Sequence, residues 1–279
     1  MNLLRNLSLS FLLFIPALCT NAKSADSTDF YSSIKNFDLS KLWRDDSILS
    51  IEHEDSSLEK LIYYKTWTEK FPEPLGFIGK DYQRFYIHYL SVKKSAENPC
   101  QYIVSGKTKV KNNICNFSGT ITIVKSKACK GMITMIMPKN FKGHHYIKYK
   151  QSVVYCECNF FEDSTQESSG SIRGKLKTQF YLDSNQHIFY DNLNDISDGY
   201  YNNQFIGSWK SYKTGISKKC HWGDYRIPDC GDLDEGAGEF SPYDSHLKYG
   251  WQIYRDANWN SDSETSKKAK LIENEQWWK

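Results

Sequence analysis

Gln101-Tyr102-Ile103-Val104-Ser105-Gly106-Lys107-Thr108-Lys109-Val110 runs into Lys111-Asn112-Asn113, and then into Ile114-Cys115-Asn116-Phe117-Ser118-Gly119-Thr120-Ile121-Thr122-Ile123-Val124. In the second run Ile121 and Ile123 fall on one face with threonines on the other, a period of two. The polar triplet between the runs is a turn, so the stretch predicts a hairpin. Its neighbours repeat the pattern. Phe85-Tyr86-Ile87-His88-Tyr89-Leu90-Ser91-Val92 has strand composition, and residues 132–137 and 146–161 add further candidates. After an acidic, Ser-rich loop at 162–169 a meander resumes, with 171–182 pairing to 187–192 across Asp183-Ser184-Asn185, and 204–212 following. Many β-formers, 15% aromatic residues and repeated short turns predict a mainly β fold, an antiparallel barrel or sandwich.

The ends of the chain read differently. Arg5, an apolar run at 11–18 and small or polar residues through Thr20-Asn21-Ala22 have the layout of a cleaved secretory signal, residues 1–22. The run is too short to span a membrane, which takes about 20 apolar residues. A second reading is a lipoprotein anchor at Cys19, although Leu18 stands where that signal takes a small residue. Residues 23–75 form an N-terminal extension, in which Ser56-Ser57-Leu58-Glu59 has capping-box spacing and predicts a short helix carrying Leu58, Leu61 and Ile62. Pro72 and Pro74 mark the change to the β domain, 76–258. Residues 259–279 are a tail, helical from about Ser263 and ending in Trp277-Trp278. The fold therefore carries short helical segments near both ends.

Lys plus Arg number 36 and Asp plus Glu 33, a formal charge of +3, which gives no basic footprint for nucleic acid. Eight cysteines become seven once Cys19 leaves with the leader. An oxidising compartment favours bridges, and Cys220 with Cys230 is the expected pair, joined across the Pro228-Asp229 turn. Cys156 and Cys158 share a strand face and are expected to pair elsewhere.

Two stretches carry a resemblance. Gly76-Phe77-Ile78-Gly79-Lys80-Asp81-Tyr82-Gln83-Arg84-Phe85-Tyr86-Ile87-His88 continues through Gly106-Lys107-Thr108-Lys109-Val110-Lys111. Downstream come Trp222-Gly223-Asp224-Tyr225-Arg226-Ile227-Pro228, Gly236-Ala237-Gly238-Glu239-Phe240-Ser241-Pro242 and Gly250-Trp251. Together they resemble a family of uncharacterised exported bacterial proteins, which implies an exported address, periplasmic or secreted, and no particular chemistry. Phe205-x-Gly207-x-Trp209 is similar to the Gly-x-Trp strand that closes the barrel floor in calycins, the lipocalin and avidin shape. There the motif sits on the first strand, and here it lies near the end. The resemblance implies a calycin-like barrel.

Motifs for catalysis are few. Gly106-Lys107-Thr108 lacks the earlier glycine of a P-loop, since position 101 is Gln101. Gly170-Ser171-Ile172-Arg173-Gly174 puts Ile172 where a hydrolase nucleophile belongs. On a strand, His144 and His145 would point to opposite faces and make no chelate, and they read as loop or edge histidines. Asp232, Asp234 and Glu239, among glycines, are the calcium candidates, because a hard cation takes six or more oxygens in a flexible loop. Trp209, Trp222, Tyr225 and Trp251 either line a pocket or fill the core, and core packing suits most of them.

The expected function is a non-enzymatic exported barrel that binds a small ligand or a protein partner. A glycan-acting hydrolase using carboxylates within 232–239 and a packed structural or inhibitor module are the alternatives. The first predicts a deep aromatic-lined cavity, the second two carboxylates facing across a cleft, the third no cavity and an exposed apolar patch.

Overall fold

The 101–124 hairpin supplies two of the eight strands of a closed barrel. A computed structural model of the chain describes residues 27–56, 61–136, 146–183, 185–192, 198–236, 238–258 and 261–279. In chain order come α1 (Ser27–Ile34), a single 3-10 turn (Ser40–Leu42), and β1 (Ser47–Ser56) paired antiparallel with β2 (Leu61–Lys70). Then follow β3 (Leu75–Ile78), β4 (Gln83–Lys94), β5 (Gln101–Val110), β6 (Asn113–Ile136), β7 (Tyr146–Glu162), β8 (Gly170–Leu182), β9 (Ile188–Tyr190), β10 (Asn202–Ser211) and β11 (Ser217–Asp224). Two helices, α2 (Gln252–Asn258) and α3 (Glu264–Glu273), end the chain.

Strands β3 to β8 form an antiparallel meander. β10 pairs with β8, and β11 pairs with β10 on one side and β3 on the other, which closes an eight-stranded barrel and leaves no open edge. β9 lies outside the ring, against the far end of β8. The hairpin register is Val110↔Asn113, with Lys111 at φ 53 in the turn. As the period of two requires, Ile121 and Ile123 point inward, as do Tyr102 and Val104 across from them.

An eight-stranded barrel is just wide enough for side chains to fill, and aromatics fill most of this one. Phe205 stacks on Trp222 with ring centroids 3.6 Å apart and planes 11° apart, while Phe85 and Phe160 flank the same indole. Phe205 has its space because Gly207 and Gly174 face each other across β10 and β8. A Cβ on either would lie within 2.7 Å of the Phe205 ring. One barrel end is plugged by Trp209, whose Nε1 donates to Glu162 Oε2 at 2.8 Å. The same oxygen accepts the Gly170 amide, and Oε1 accepts from Thr108. The other end receives the N-terminal segment. Ile34, Leu39, Leu42 and Trp43 belong to the barrel's own core, and the Leu39 amide donates to the Tyr102 hydroxyl at 3.0 Å.

A second apolar cluster forms on the outer face, where Phe77 of β3 meets Ile227, Leu233, Phe240, Leu247 and Trp251. It holds the segment after β11 against the wall and brings α3 alongside β4. There Arg84 makes a bidentate pair with Glu273. Among the described residues no helix is long and apolar enough to cross a membrane.

Two expectations are corrected. The capping-box residues Ser57 to Glu59 lie outside the described residues, but Leu61 and Ile62 open a strand rather than a helix, paired to β1 through Ser56↔Leu61. The run Ile62-Tyr63-Tyr64-Lys65-Thr66-Trp67 is made of strand formers, and tertiary pairing overrides the local cap signal. The N-terminal helix instead occupies Ser27–Ile34. Cys220 and Cys230 are not bridged. Cys220 points into the barrel, whereas the Pro228 turn folds back over the opposite face, where the Pro228 carbonyl meets His221 Nδ1 at 3.0 Å. Successive strand residues face opposite ways, so a loop that reaches His221 cannot reach Cys220. Cys156 and Cys158 do share the inward face, and neither has a bridging partner among the described residues. The leader, Cys19 and His144-His145 lie outside the described residues.

Candidate functional site

Pro72 and Pro74 precede β3, and neither can donate to a strand ladder. β3 is accordingly only 4 residues long beside a β4 of 12, so its pairing stops at Leu75↔Gly223. Residues 71–74 cross the barrel end at that point instead of extending the wall. A cavity of about 450 Å³ lies beneath them. Its buried floor is Trp222, Tyr89, Leu176, Asn203 and Asp224, with Trp43 beside them. Its exposed rim carries Lys70, Glu73, Gln276 and Lys279, and Phe71 and Trp278 form half-buried walls.

Asp224 is the last residue of β11 and shares the inward face with Cys220 and Trp222. It is fully buried. Its Oδ2 accepts from the Tyr190 hydroxyl at 2.8 Å and from Asn203 Nδ2 at 2.7 Å, while Oδ1 has no protein partner. Burial pushes its pKa up to about 7; the two hydrogen bonds act in the opposite direction, and the charge of Glu73 adds to the rise.

Asn203 is set by a bulge. The β10–β11 register slips between Asn202 and Phe205, and Asn203 sits at φ 46, a conformation that Asn tolerates better than most residues. Its amide is then fully engaged. Nδ2 donates to Asp224 and to the Leu42 carbonyl, and Oδ1 accepts from Thr178, which in turn accepts from Trp43 Nε1 at 2.8 Å. The chain Trp43–Thr178–Asn203–Asp224–Tyr190 thus ties the N-terminal plug to the cavity floor.

Three more polar atoms of the cavity lining are buried without a protein partner: Arg44 Nε, His88 Nε2 and the Tyr89 hydroxyl. The Tyr89 hydroxyl lies near the Trp222 side chain, at a geometry too poor for a hydrogen bond. His88 is held on both sides. Nδ1 meets Glu73 at 2.9 Å, and the ring stacks on Trp278 at 3.8 Å with planes 8° apart. The rim carboxylates each have a partner: Glu73 faces His88, Asp45 faces Lys41 at 3.7 Å, and Asp46 faces Arg44 at 3.8 Å.

The calcium candidates are not gathered. Asp234 pairs with Arg226 and accepts the Gly236 and Ser241 amides, so it serves its own loop. Asp232 is exposed and lies 3.5 Å from His246, and Glu239 borders a separate shallow groove by Phe240 and Tyr254. Among the described residues no three His, Cys, Asp or Glu side chains converge on a metal position. Of the four aromatics singled out in the sequence, Trp222 alone lines the cavity. Trp209 plugs the far end, Trp251 belongs to the outer cluster, and Tyr225 packs edge-on against Tyr200.

Sequence reasoning missed Asp224, Asn203 and Tyr190. One signal was present: Trp222-Gly223-Asp224 puts an acid at an inward position of a core strand, two residues after a large aromatic. No family model, curated protein or solved structure matches this chain, and its chemistry stands on the barrel-end cavity.

Proposed function

We propose that this chain is a non-enzymatic, exported binding module that takes a small molecule into the cavity at the Asp224 end of its barrel. The observation that carries this reading is that four residues lining one aromatic-walled space each hold a buried polar atom with no protein partner: Arg44 Nε, His88 Nε2, Tyr89 Oη and Asp224 Oδ1. Buried polar atoms almost always have partners, and each one left bare costs about 1–3 kcal/mol. A space of about 450 Å³ lies within the range of small-molecule sites, roughly 300–1,000 Å³.

The disposition of the carboxylates favours binding over glycan hydrolysis. A glycosidase needs two free carboxyl groups flanking one bond. Asp224 is fully buried on the floor, whereas Glu73, Asp45 and Asp46 lie toward the rim, with Glu73 on His88 and the Asp46 side chain exposed, so no second buried carboxyl group of the lining stands with it. A packed structural module would have no cavity at this end.

A thermal-shift screen tests the reading, using fragments that span cationic, neutral and anionic compounds. It is run on the wild-type protein and on Leu176→Phe and Leu176→Trp, which progressively fill the floor. Compounds that raise the wild-type melting temperature and lose their effect as the floor fills support it. If no compound separates the wild type from the filled variants, the cavity is not a binding site.

A further inference from the structure

We infer that the ligand is an organic cation, an amine whose ammonium group sits on Asp224 Oδ1 and whose ring body lies against Trp222 and Tyr89. The inference rests on the cavity being a ligand site, as proposed above, and adds its chemical class.

Other carboxylates in the fold show what a buried acid ordinarily receives. Asp234 and Glu273 each have an arginine, Arg226 and Arg84. Glu162 has three donors spread over both of its oxygens. Asp224 is the most buried of the four and has no cation at all. Two neutral donors crowd onto Oδ2, Oδ1 has no protein partner, and the residue lines the cavity. An uncompensated buried carboxylate is costly, and a charge-assisted hydrogen bond from an ammonium is the strongest way to satisfy it. The same contact would favour the ionised form of Asp224, whose proton is otherwise held to about pH 7 by burial.

The walls suit the same class. The faces of Trp and Tyr attract cations, by about 2 kcal/mol or more when the cation is desolvated. This chain uses that interaction elsewhere, since the Arg84 guanidinium lies within 5.0 Å of the Tyr86, Trp251 and Tyr254 rings. The volume of about 450 Å³ is roughly three times an apolar cavity of about 150 Å³ that takes one benzene, so a body of one or two rings fits. Lys70 and Lys279 at the rim are exposed and screened by solvent, whereas Asp224 acts from the buried floor.

The test is a charge series on a constant body: 2-phenylethylamine, 2-phenylethanol and phenylacetate, titrated into the wild-type protein by calorimetry at pH 8. The amine is expected to bind about tenfold or more tighter than the alcohol, the difference between a charge-assisted and a neutral hydrogen bond, with phenylacetate weakest. Asp224→Asn keeps an acceptor for Tyr190 and Asn203 and is expected to erase the preference for the amine while leaving the alcohol's affinity within about threefold. If the alcohol or phenylacetate binds the wild type as tightly as the amine, the cation inference is overturned and the cavity remains a ligand site. If none of the three binds, the cation inference is overturned, and the thermal-shift screen on the floor-filled variants decides separately whether the cavity is a site. The series is read on the wild-type protein, so it decides the question even where the variant fails to fold.

Discussion

The Tyr190 hydroxyl donates to Asp224 Oδ2 at 2.8 Å, from a strand outside the barrel ring to the last residue of the strand that closes it. That bond and the one from Asn203 both fall on Oδ2, so one oxygen of this cavity-lining carboxylate is saturated and the other has no protein partner. β9 exists in the fold only as three residues at the far end of β8, and Tyr190 is its last. The short strand thereby acts as a positioning device for the floor of the site.

The first prediction concerns pH. In the unfolded chain Asp224 loses its proton near 3.8, while in the folded state it keeps it to about 7. A raised folded-state pKa means that its contribution to stability is complete below pH 4 and is lost as pH rises toward 7, then levels off. The groups that act on it are Tyr190 and Asn203, which donate to its Oδ2, and Glu73 at the rim. Asp224→Asn removes the titration and keeps the shape. Denaturant titrations at pH 5 and pH 8 are expected to show the variant gaining on the wild type at pH 8, by up to a few kcal/mol. An equal difference at both pH values would show that burial does not hold the proton on Asp224.

The second prediction concerns the opposite plug. Glu162 saturates Trp209 Nε1, the Gly170 amide and the Thr108 hydroxyl, and burial raises its pKa. Glu162→Gln retains an acceptor for the indole and the amide and a donor for Thr108, so the expected loss is about 1 kcal/mol or less. Glu162→Leu leaves two buried N–H donors bare, and the expected loss is about 2–4 kcal/mol. Urea unfolding of both variants checks the ratio. Equal losses would mean that the side chain acts through volume, not through its hydrogen bonds.

How much of this was open to a reader of the sequence depends on the range of the interaction. The 101–124 hairpin was legible because alternation and a polar turn are local signals, and Lys111 sits where the turn was expected. Phe205-x-Gly207-x-Trp209 entered the reading only through its likeness to the calycin strand; in the fold Gly207 makes room for the Phe205 ring and Trp209 plugs one end. The partner that completes the plug, Glu162, lies 47 residues away, and nothing local marks it. Asp224 was harder still. Its partners come from β9, from a bulge at Asn203 and from the register that closes β11 on β3, none of which is encoded near residue 224. The Cys220–Cys230 expectation failed for a related reason: sequence proximity was read without the side of the wall on which each residue lies.

The third prediction addresses the glycine pair beneath Phe205. A Cβ at Gly207 would lie 2.4 Å from the Arg173 carbonyl and 2.6 Å from the Phe205 ring. The carbonyl belongs to the β8 ladder and cannot move without breaking closure, so Gly207→Ala must displace the ring as well. Phe205 stacks on Trp222, the floor of the cavity, and the displacement is expected to propagate there. A stability loss of about 3 kcal/mol or more is expected, together with a changed near-ultraviolet circular dichroism spectrum from the disturbed stack. An unchanged spectrum would show that the stack tolerates the methyl group and that the glycine is there for the backbone alone.

The last prediction separates the tail from the barrel. Arg84 and Glu273 meet through two bonds of 2.7 and 2.6 Å, with Arg84 nearly inaccessible and wedged among Tyr86, Trp251 and Tyr254. This pair holds α3, and α3 in turn delivers Trp278 to its stack on His88 at the cavity rim. Removing one partner of a buried pair leaves the other charge uncompensated, so Arg84→Met is expected to cost about 3–5 kcal/mol, and a paired Arg84→Met, Glu273→Leu variant to recover much of that. Because the strand ladders close without α3, hydrogen exchange should rise across 264–279 in the single variant while amides of β5 to β8 keep their protection. Exchange that rises equally in both regions would mean that the tail and the barrel unfold as one unit. Trp278 would then be a fixed wall of the cavity and not a separable cover.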